Sequence, residues 1–560
     1  MPQAFEKQRT LVQDILDFAR QHEDAILALT SGACFGFSIT PFRTGFLALF
    51  ALVPLFILLE HCSAYRRLLV YTYLAAATFH IIIVHWVMMT PDLHLVIIAG
   101  AFLLLNPILY FIPIGLWNWI RKRVGFGWSI LAFPWIWISF EYLRNSTEIS
   151  APIFALGYSQ TYSLDILQMA SYTGIYGVSL WVILINMLLF LLYRNIRSKR
   201  WKVSSLPAIM TLLAAMLVFI LPKIYGEGVL RSEMSVSNQS SRKAKIAIIQ
   251  PNIDPYIKWQ NTSESQLKIL QGMTAAAALQ HPDLIVWPET AIPRYIYYSP
   301  QDSAFLNEIR LQVNSLGVNL LTGALDLMYY DPSRPYPASS KVDQSGRHYD
   351  VYNSSILLLP HTDSVQEYNK IVLVPFAERF PYAEEICSLT NANFIRWDFG
   401  IVGLGIGKRM TIFSSPAGDS APVKFATVIC YETLFPQLVS RFVRDGAQFI
   451  VILSNESWWG KTAGSIQHTQ IDLLRAIENH RWIVRCSNGG ASCFIDPSGH
   501  ILQLTDMDVA KVLTSDIRPS DEATFYSAHG DLFAQACVIL ALCSVLIAPL
   551  VRIRKSNNIS

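Results

Sequence analysis

At 560 residues the chain is too long for one ordinary domain. Hydrophobic residues make up 52% and charged residues only 15%, well below the roughly 25% charge of soluble domains; with mean hydropathy at +0.34, a large part of the chain belongs in a membrane. The net charge of +3 gives no electrostatic ground for nucleic-acid binding, and the eight cysteines show no C-x-x-C or Cys/His spacing, which argues against zinc and iron–sulfur sites.

Residues 1–24 are polar and charged and read as a retained cytoplasmic segment. Apolar runs near the ~20 residues needed to cross a bilayer follow at 25–40, 43–60, 68–89, 93–119, 127–143, 174–193 and 206–222, with an eighth at 531–551 and a tail at 552–560. Basic residues gather before the first run (Lys7, Arg9, Arg20) and after the second (Arg66, Arg67), fourth (Arg121, Lys122, Arg123), sixth (Arg194, Arg197, Lys199, Arg200, Lys202) and eighth (Arg552, Arg554, Lys555). The intervening loops carry only Arg43 and Arg144. The positive-inside rule therefore predicts cytoplasmic termini, with residues 223–530 on the opposite side. His80 and His85 lie on different helix faces, which favours interhelical hydrogen bonds over a ligand pair, and Glu141 and Arg144 could pair near the outer end of the fifth span.

A Ser-rich linker is expected at 223–243, then an α/β layered domain over 244–520. Strands are predicted at 245–250, 284–287, 318–322, 352–359, 371–374, 425–429, 449–453, 481–486 and 492–496, with helices at 263–280, 302–316 and 466–479. Polar clusters follow four of the strands: Gln250-Pro-Asn252, Trp287-Pro-Glu289, Cys430-Tyr-Glu432 and Ser454-Asn-Glu456. Ligands bind beyond the carboxyl ends of strands in open α/β sheets, so these clusters are expected to converge on one site. Cys430 follows the apolar run Phe425–Ile429 and precedes a helix expected from Thr433, a setting that favours a thiolate. The bland alternative is an inert core cysteine.

Trp287-Pro-Glu289-Thr-Ala-Ile-Pro293, Asn369-Lys370-Ile-Val-Leu-Val-Pro-Phe-Ala-Glu378 and Cys430-Tyr431-Glu432 together resemble the glutamate, lysine and cysteine motifs of the nitrilase superfamily, whose fold is an αββα sandwich. Inserted between a seventh and an eighth membrane span, such a domain resembles one family in particular, the bacterial apolipoprotein N-acyltransferases. The likeness extends to Gln250–Trp259, Tyr352-Asn353-Ser354 and Ser454-Asn455-Glu456-Ser-Trp458-Trp459-Gly460. Three positions depart from the family pattern: Ala377 stands where glycine is usual, Val372 where histidine is common and Glu456 where aspartate is usual.

The resemblance implies a polytopic enzyme of the bacterial inner membrane with its catalytic domain in the periplasm, working without metal or cofactor. It implies ping-pong transfer of the sn-1 acyl chain of a phospholipid, typically phosphatidylethanolamine, through a Cys430 thioester. The acceptor is the N-terminal amine of the diacylglyceryl cysteine of an apolipoprotein. Glu289 is the expected general base. Lys370, with the Tyr431 backbone N–H, is the expected oxyanion donor, and Glu378 and Glu432 are expected to orient Lys370 and hold the incoming amine. Trp259, Asn353, Asn455 and Trp458 are expected at the substrate. Aromatic loops at 293–298, 380–382, 394–397 and 401–406 are expected to form a doorway toward the bilayer. A monomer is expected. The rival readings are a membrane-tethered amidase or esterase with water as acceptor and a non-enzymatic membrane receptor. Cys486 and Cys493, placed about Gly489-Gly490, could meet across a hairpin.

Overall fold

The computed structural model describes residues 17, 20–90, 93–200, 202–203, 205–236, 242–255, 263–297, 304–390, 403–417 and 420–557. Its N-terminal part is a bundle of helices at Glu23–Ser38, Ala48–His61, Tyr65–Val84, Leu93–Leu105, Phe111–Val124, Phe126–Arg144, Ala170–Arg197 and Leu206–Val236, joined late in the chain by Leu532–Asn557. Five stretches are long and apolar enough to cross a membrane: Tyr65–Met89, Val96–Val124, Ala170–Arg197, Leu206–Glu233 and Leu532–Leu550. Gly45–His61 is a shorter apolar helix, and the expected spans at 25–40 and 127–143 correspond to helices outside that set of five.

Three features depart from a plain reading of the hydropathy. The run expected as one span from 93 is broken at Asn106–Tyr110, where Pro107 removes a backbone donor and the chain tightens into a 3-10 turn. Gly174 interrupts the Ala170–Arg197 helix with φ 61° and ψ −167°, and the Tyr526 ring would lie 2.6 Å from a Cβ there. The helix from Leu206 continues through most of the expected linker to Val236, held by a Lys223–Asp165 pair and by Glu233 against His480 at 2.9 Å.

Several polar residues inside the bundle find partners close by. His80 bonds Asn106 across helices at 2.9 Å, whereas His85 bonds the Ile82 carbonyl in the last turn of the helix that precedes it. Glu141 and Arg144 do not pair. Glu141 accepts from the Trp137 indole at 2.9 Å and the Leu156 N–H at 3.0 Å, while Arg144 donates to the Tyr110 hydroxyl at 3.0 Å and the Ala151 carbonyl. Residues three apart on a helix share a face, but these two side chains take different partners around the turn.

The α/β domain carries β1 (Ala244–Gln250), β2 (Leu284–Val286), β3 (Ile292–Tyr297), β4 (Leu320–Tyr329), β5 (Lys341–Val342), β6 (His348–Leu358), β7 (Val365–Asn369), β8 (Phe413–Ala417), β9 (Ser420–Ile429), β10 (Phe449–Ser454), β11 (Ile483–Ser487), β12 (Cys493–Ile495), β13 (Ile501–Leu502) and β14 (Lys511–Ile517). One sheet has the order β14-β1-β2-β4-β6-β5, with β3 beside β4 and β7 beside β6; the other runs β13-β12-β11-β10-β9-β8. The parallel centres are β1-β2-β4 and β9-β10-β11.

Alternation along β1 explains the layering. Ile246 and Ile248 enter a core shared with Val428, Ile452 and Val484 of the second sheet, while Ala247 and Ile249 face Leu267, Leu270 and Ile309 of helices Ser263–Ala278 and Ala304–Leu316. Helices Pro436–Arg444 and Ala463–Asn479 cover the second sheet through Leu438, Phe442, Leu473 and Ala476. The result is the four-layer αββα sandwich.

Ala463–Asn479 has a second buried face. Ile471, Leu474 and Ile477, together with Leu434, belong to the core of the helical bundle, so membrane part and α/β domain pack as one body. Cys486 and Cys493 are both free thiols, since β11 and β12 pair with Cys493 opposite Arg485 rather than Cys486.

Candidate active site

Glu289, Lys370 and Cys430 all leave strand ends. Glu289 follows β2 in a tight passage against β4. Gly323 permits it, because a Cβ there would sit 2.6 Å from the Pro288 carbonyl and 2.7 Å from the Glu289 Cα. Lys370 follows β7, its N–H bonded to the Asn353 carbonyl at 2.8 Å and its own carbonyl accepting from Gly407 N–H at 2.8 Å. Cys430 follows β9 with φ 49°, the left-handed region that non-glycine residues seldom adopt. It begins a 3-10 turn, Cys430–Leu434, so the expected helix starts only at Pro436.

The predicted strand at 371–374 does not form. Its donors go to a side chain instead: Ile371 and Val372 N–H bond Glu432 Oε1 at 2.7 and 3.1 Å. Glu432 also accepts from the Tyr368 hydroxyl at 2.6 Å and from Ile429 N–H at 2.8 Å. It is fully buried and strapped between the lysine loop and the cysteine turn, a geometry unlike the amine-holding role expected for it.

Lys370 is 0% exposed. Its Nζ lies 2.9 Å from Glu378 Oε1 and 3.5 Å from Glu289 Oε1. Asn353 Nδ2 donates to the same two oxygens at 2.8 Å (Glu289) and 3.1 Å (Glu378), and Val374 N–H holds Glu378 Oε2 at 2.7 Å. Asn353 is thus a brace between carboxylates, at least as much as a substrate contact. Burial alone would lower the Lys370 ammonium; Glu378 and then Glu289 outweigh it and hold the group well above the ordinary lysine range. Between these carboxylates the charged form is favoured, an ammonium with hydrogens to donate and no lone pair to accept.

Burial pushes the half-buried Cys430 thiol up, the Glu289 charge adds to the rise and Lys370 opposes it. Glu289 and Lys370 thus act on the sulfur in opposite senses, and burial with Glu289 favours the neutral thiol.

Tyr431 reaches the bundle, donating its hydroxyl to the Ser150 carbonyl at 2.7 Å. Nearby, Tyr382 N–H meets Glu148 at 2.6 Å. Asn455 Oδ1 accepts from Asn488 Nδ2 at 3.1 Å, and Asn488 also bonds Ile253 and Ser457, stitching three strand-end loops together. Trp458 is half-buried on the 3-10 turn Glu456–Trp459. Trp259 and the 394–397 stretch lie outside the described residues.

Motif reading missed a buried charged network beneath the cysteine turn. His468, Glu456, Arg485 and Asp472 are joined through His468–Glu456 at 2.7 Å and through close Arg485–Glu456 and Arg485–Asp472 pairs. Its signal was present, since Arg485 interrupts the apolar strand Ile483-Val-Arg-Cys-Ser487, and a buried guanidinium requires partners. Among the described residues no group of three or more His, Cys, Asp and Glu side chains could hold a metal ion.

Residues 31–188 match the apolipoprotein N-acyltransferase N-terminal domain and residues 245–525 the carbon-nitrogen hydrolase family. The apolipoprotein N-acyltransferase of Chlorobaculum tepidum is 34% identical over 531 residues, covering 93% of this chain and 96% of that protein. This chain belongs to the apolipoprotein N-acyltransferase family. The apolipoprotein N-acyltransferase of Geobacter metallireducens is 30% identical over 75% of this chain and 74% of its own length. Apolipoprotein N-acyltransferase 1 of Treponema denticola is 26% identical over 90% and 92%. Membership accounts for the two-part architecture, a membrane bundle carrying a nitrilase-type domain, and it carries the reaction class, acyl transfer.

Proposed function

We propose that the chain transfers an acyl group from a phospholipid, through a thioester on Cys430, to the N-terminal amine of a diacylglyceryl apolipoprotein. The observation that carries this reading is the buried Lys370 ammonium held between Glu378 and Glu289 in the electrostatic site of the Cys430 thiol.

Glu289 takes the thiol proton as the sulfur attacks the sn-1 ester carbonyl of the phospholipid. Negative charge moves to the carbonyl oxygen, where Lys370 and the Tyr431 N–H stabilise it. Collapse breaks the C–O bond, and Glu289 returns its proton to the departing lysophospholipid oxygen. The amine then attacks the thioester carbonyl and Glu289 accepts the amine proton; as the C–S bond breaks, Glu289 passes that proton to the departing sulfur, which regenerates the thiol and the carboxylate. Glu378 and Asn353 keep Lys370 and Glu289 in register throughout, and Glu432 holds the lysine loop to the cysteine turn.

The fused bundle suits this substrate. Each methylene taken from a bilayer into water costs ~0.8 kcal/mol, so a site attached to the membrane avoids extracting the chain. The α/β domain then faces the periplasm, with both termini in the cytoplasm and the inner membrane between. One chain suffices, because bundle and domain complete a common core. A cytoplasm-active reporter fused after residue 560 checks the orientation.

The decisive experiment is intact-mass measurement of the purified protein with phosphatidylethanolamine in detergent. An acyl adduct on Cys430 that persists until a diacylglyceryl lipopeptide is added, and then moves to its amine, supports transfer. Continuous release of free fatty acid with no aminolysis overturns it.

A further inference from the structure

The Cys430 carbonyl is as firmly held as its side chain is exposed to chemistry. His468 Nε2 lies 3.2 Å from Cys430 O, and His468 Nδ1 lies 2.7 Å from Glu456 Oε1. A carbonyl can only accept, so Nε2 is the donor there. Glu456 is itself fixed. Ser454 Oγ donates to its Oε1 at 2.7 Å and Ser487 Oγ to its Oε2 at 2.8 Å, and Arg485 closes on Oε1 from the neighbouring strand. Arg485 also grips Asp472, which accepts from Thr433 of the cysteine turn. One residue before His468, Gln467 Nε2 donates to the Thr40 and Ile83 carbonyls at 2.7 and 3.0 Å, pinning this helix to the bundle.

A trans peptide is planar, with its C=O and N–H directed oppositely. The Cys430 carbonyl and the Tyr431 N–H belong to one such plane, because the chain's only cis bond among the described residues is Thr40–Pro41. Whatever fixes the Cys430 oxygen therefore fixes the direction of the Tyr431 N–H. An external anchor has a use at this residue: φ 49° lies in the left-handed region, which a non-glycine residue adopts only at a cost.

We propose that His468 is a positioning residue for the oxyanion site: its Nε2–H anchors the Cys430 carbonyl and thereby aims the Tyr431 N–H at the developing oxyanion. Glu456 and Arg485 hold the imidazole in the orientation that this requires. His468 touches neither substrate nor sulfur in this role. The inference rests on the acyl-transfer reading above and assigns it a further residue.

Two conservative variants separate this role from a merely structural one. A glutamine amide can reproduce the Nε2 donor, whereas an asparagine amide reproduces Nδ1 and cannot reach the carbonyl. The test is the single-turnover rate of Cys430 acylation by phosphatidylethanolamine in detergent, with KM and thermal midpoint measured alongside. His468→Asn is expected to slow acylation about 10- to 100-fold, short of outright loss of an oxyanion donor, with KM unchanged. His468→Gln is expected to stay within about fivefold of the parent. Equal rates in the two folded variants, or a loss that follows KM, overturn the assignment. If His468→Asn does not fold, His468→Gln decides alone, and a folded His468→Gln slowed more than about 100-fold also overturns it. Absence of any Cys430 adduct in the parent would instead sink the acyl-transfer reading.

Discussion

The Trp86 indole N–H donates to the Gln467 side-chain carbonyl at 3.0 Å, joining the end of a membrane helix to the helix that covers the second sheet. The contact is buried, and the Trp86 ring also packs against Trp459 with centroids 4.8 Å apart. Trp86→Phe keeps an aromatic ring but removes the donor together with part of the indole that packs beside Gly464 and Trp459, leaving the Gln467 oxygen buried without its partner. A loss of roughly 1–3 kcal/mol is expected, seen as a lower thermal midpoint of the whole chain in detergent and not as a separate transition of either part.

Lys370 is surrounded so tightly that its replacement by the other permanent cation should fail. Lys370→Arg preserves charge, but a planar guanidinium does not fit a site with no exposed surface between two carboxylates. Acylation of Cys430 is expected to fall by about 10²–10³-fold, as for a lost oxyanion donor, and mass spectrometry of the adduct reads it directly.

The sign of the Cys430 shift gives a pH test. Burial raises the thiol first, Glu289 raises it further and Lys370 lowers it. Neutralising the carboxylate in Glu289→Gln should move thiol ionisation down toward the ordinary range, so alkylation of Cys430 by iodoacetamide at about pH 9 becomes faster. The same variant loses acyl transfer, because no base remains. Lys370→Met shifts ionisation the other way and slows alkylation. Peptide mapping of the alkylated residue against pH checks both.

Glu432 accepts four hydrogen bonds, three at Oε1 and one at Oε2. Glu432→Gln must turn an NH₂ group toward a backbone donor whichever way it is oriented. The expected cost is roughly 1.5–3 kcal/mol, with activity lost alongside stability because the lysine loop and the cysteine turn separate. Chemical denaturation in detergent beside the acylation assay measures the two together.

Strand ends made much of the site readable in the sequence. Short apolar runs placed β1, β9 and β10, and the polar residues after them marked where side chains would converge. Long-range partners were not readable. Nothing local indicates that Ile371 and Val372 would give their N–H groups to a carboxylate about sixty positions later, so their apolar run looked like a strand. Helix length beyond residue 222 was hidden for a related reason. The stretch is short of apolar residues, and its partners Asp165 and His480 lie far away in the sequence. Asn353 was marked by its motif, yet its bonds to Glu289 and Glu378 depend on β4 and β6 pairing, which spacing alone does not determine.

The two-faced helix Ala463–Asn479 has a practical consequence. Leu473 and Ala476 fill the sandwich while Ile471, Leu474 and Ile477 fill the bundle. Trimming the chain to its α/β part would bare an oily strip beside the nucleophile and cut the Tyr431–Ser150 tether. No scissors can part the catalyst from its anchor: a water-soluble excerpt of this protein would be a sticky fragment, and drug screens or crystals built on one would be looking at a different surface.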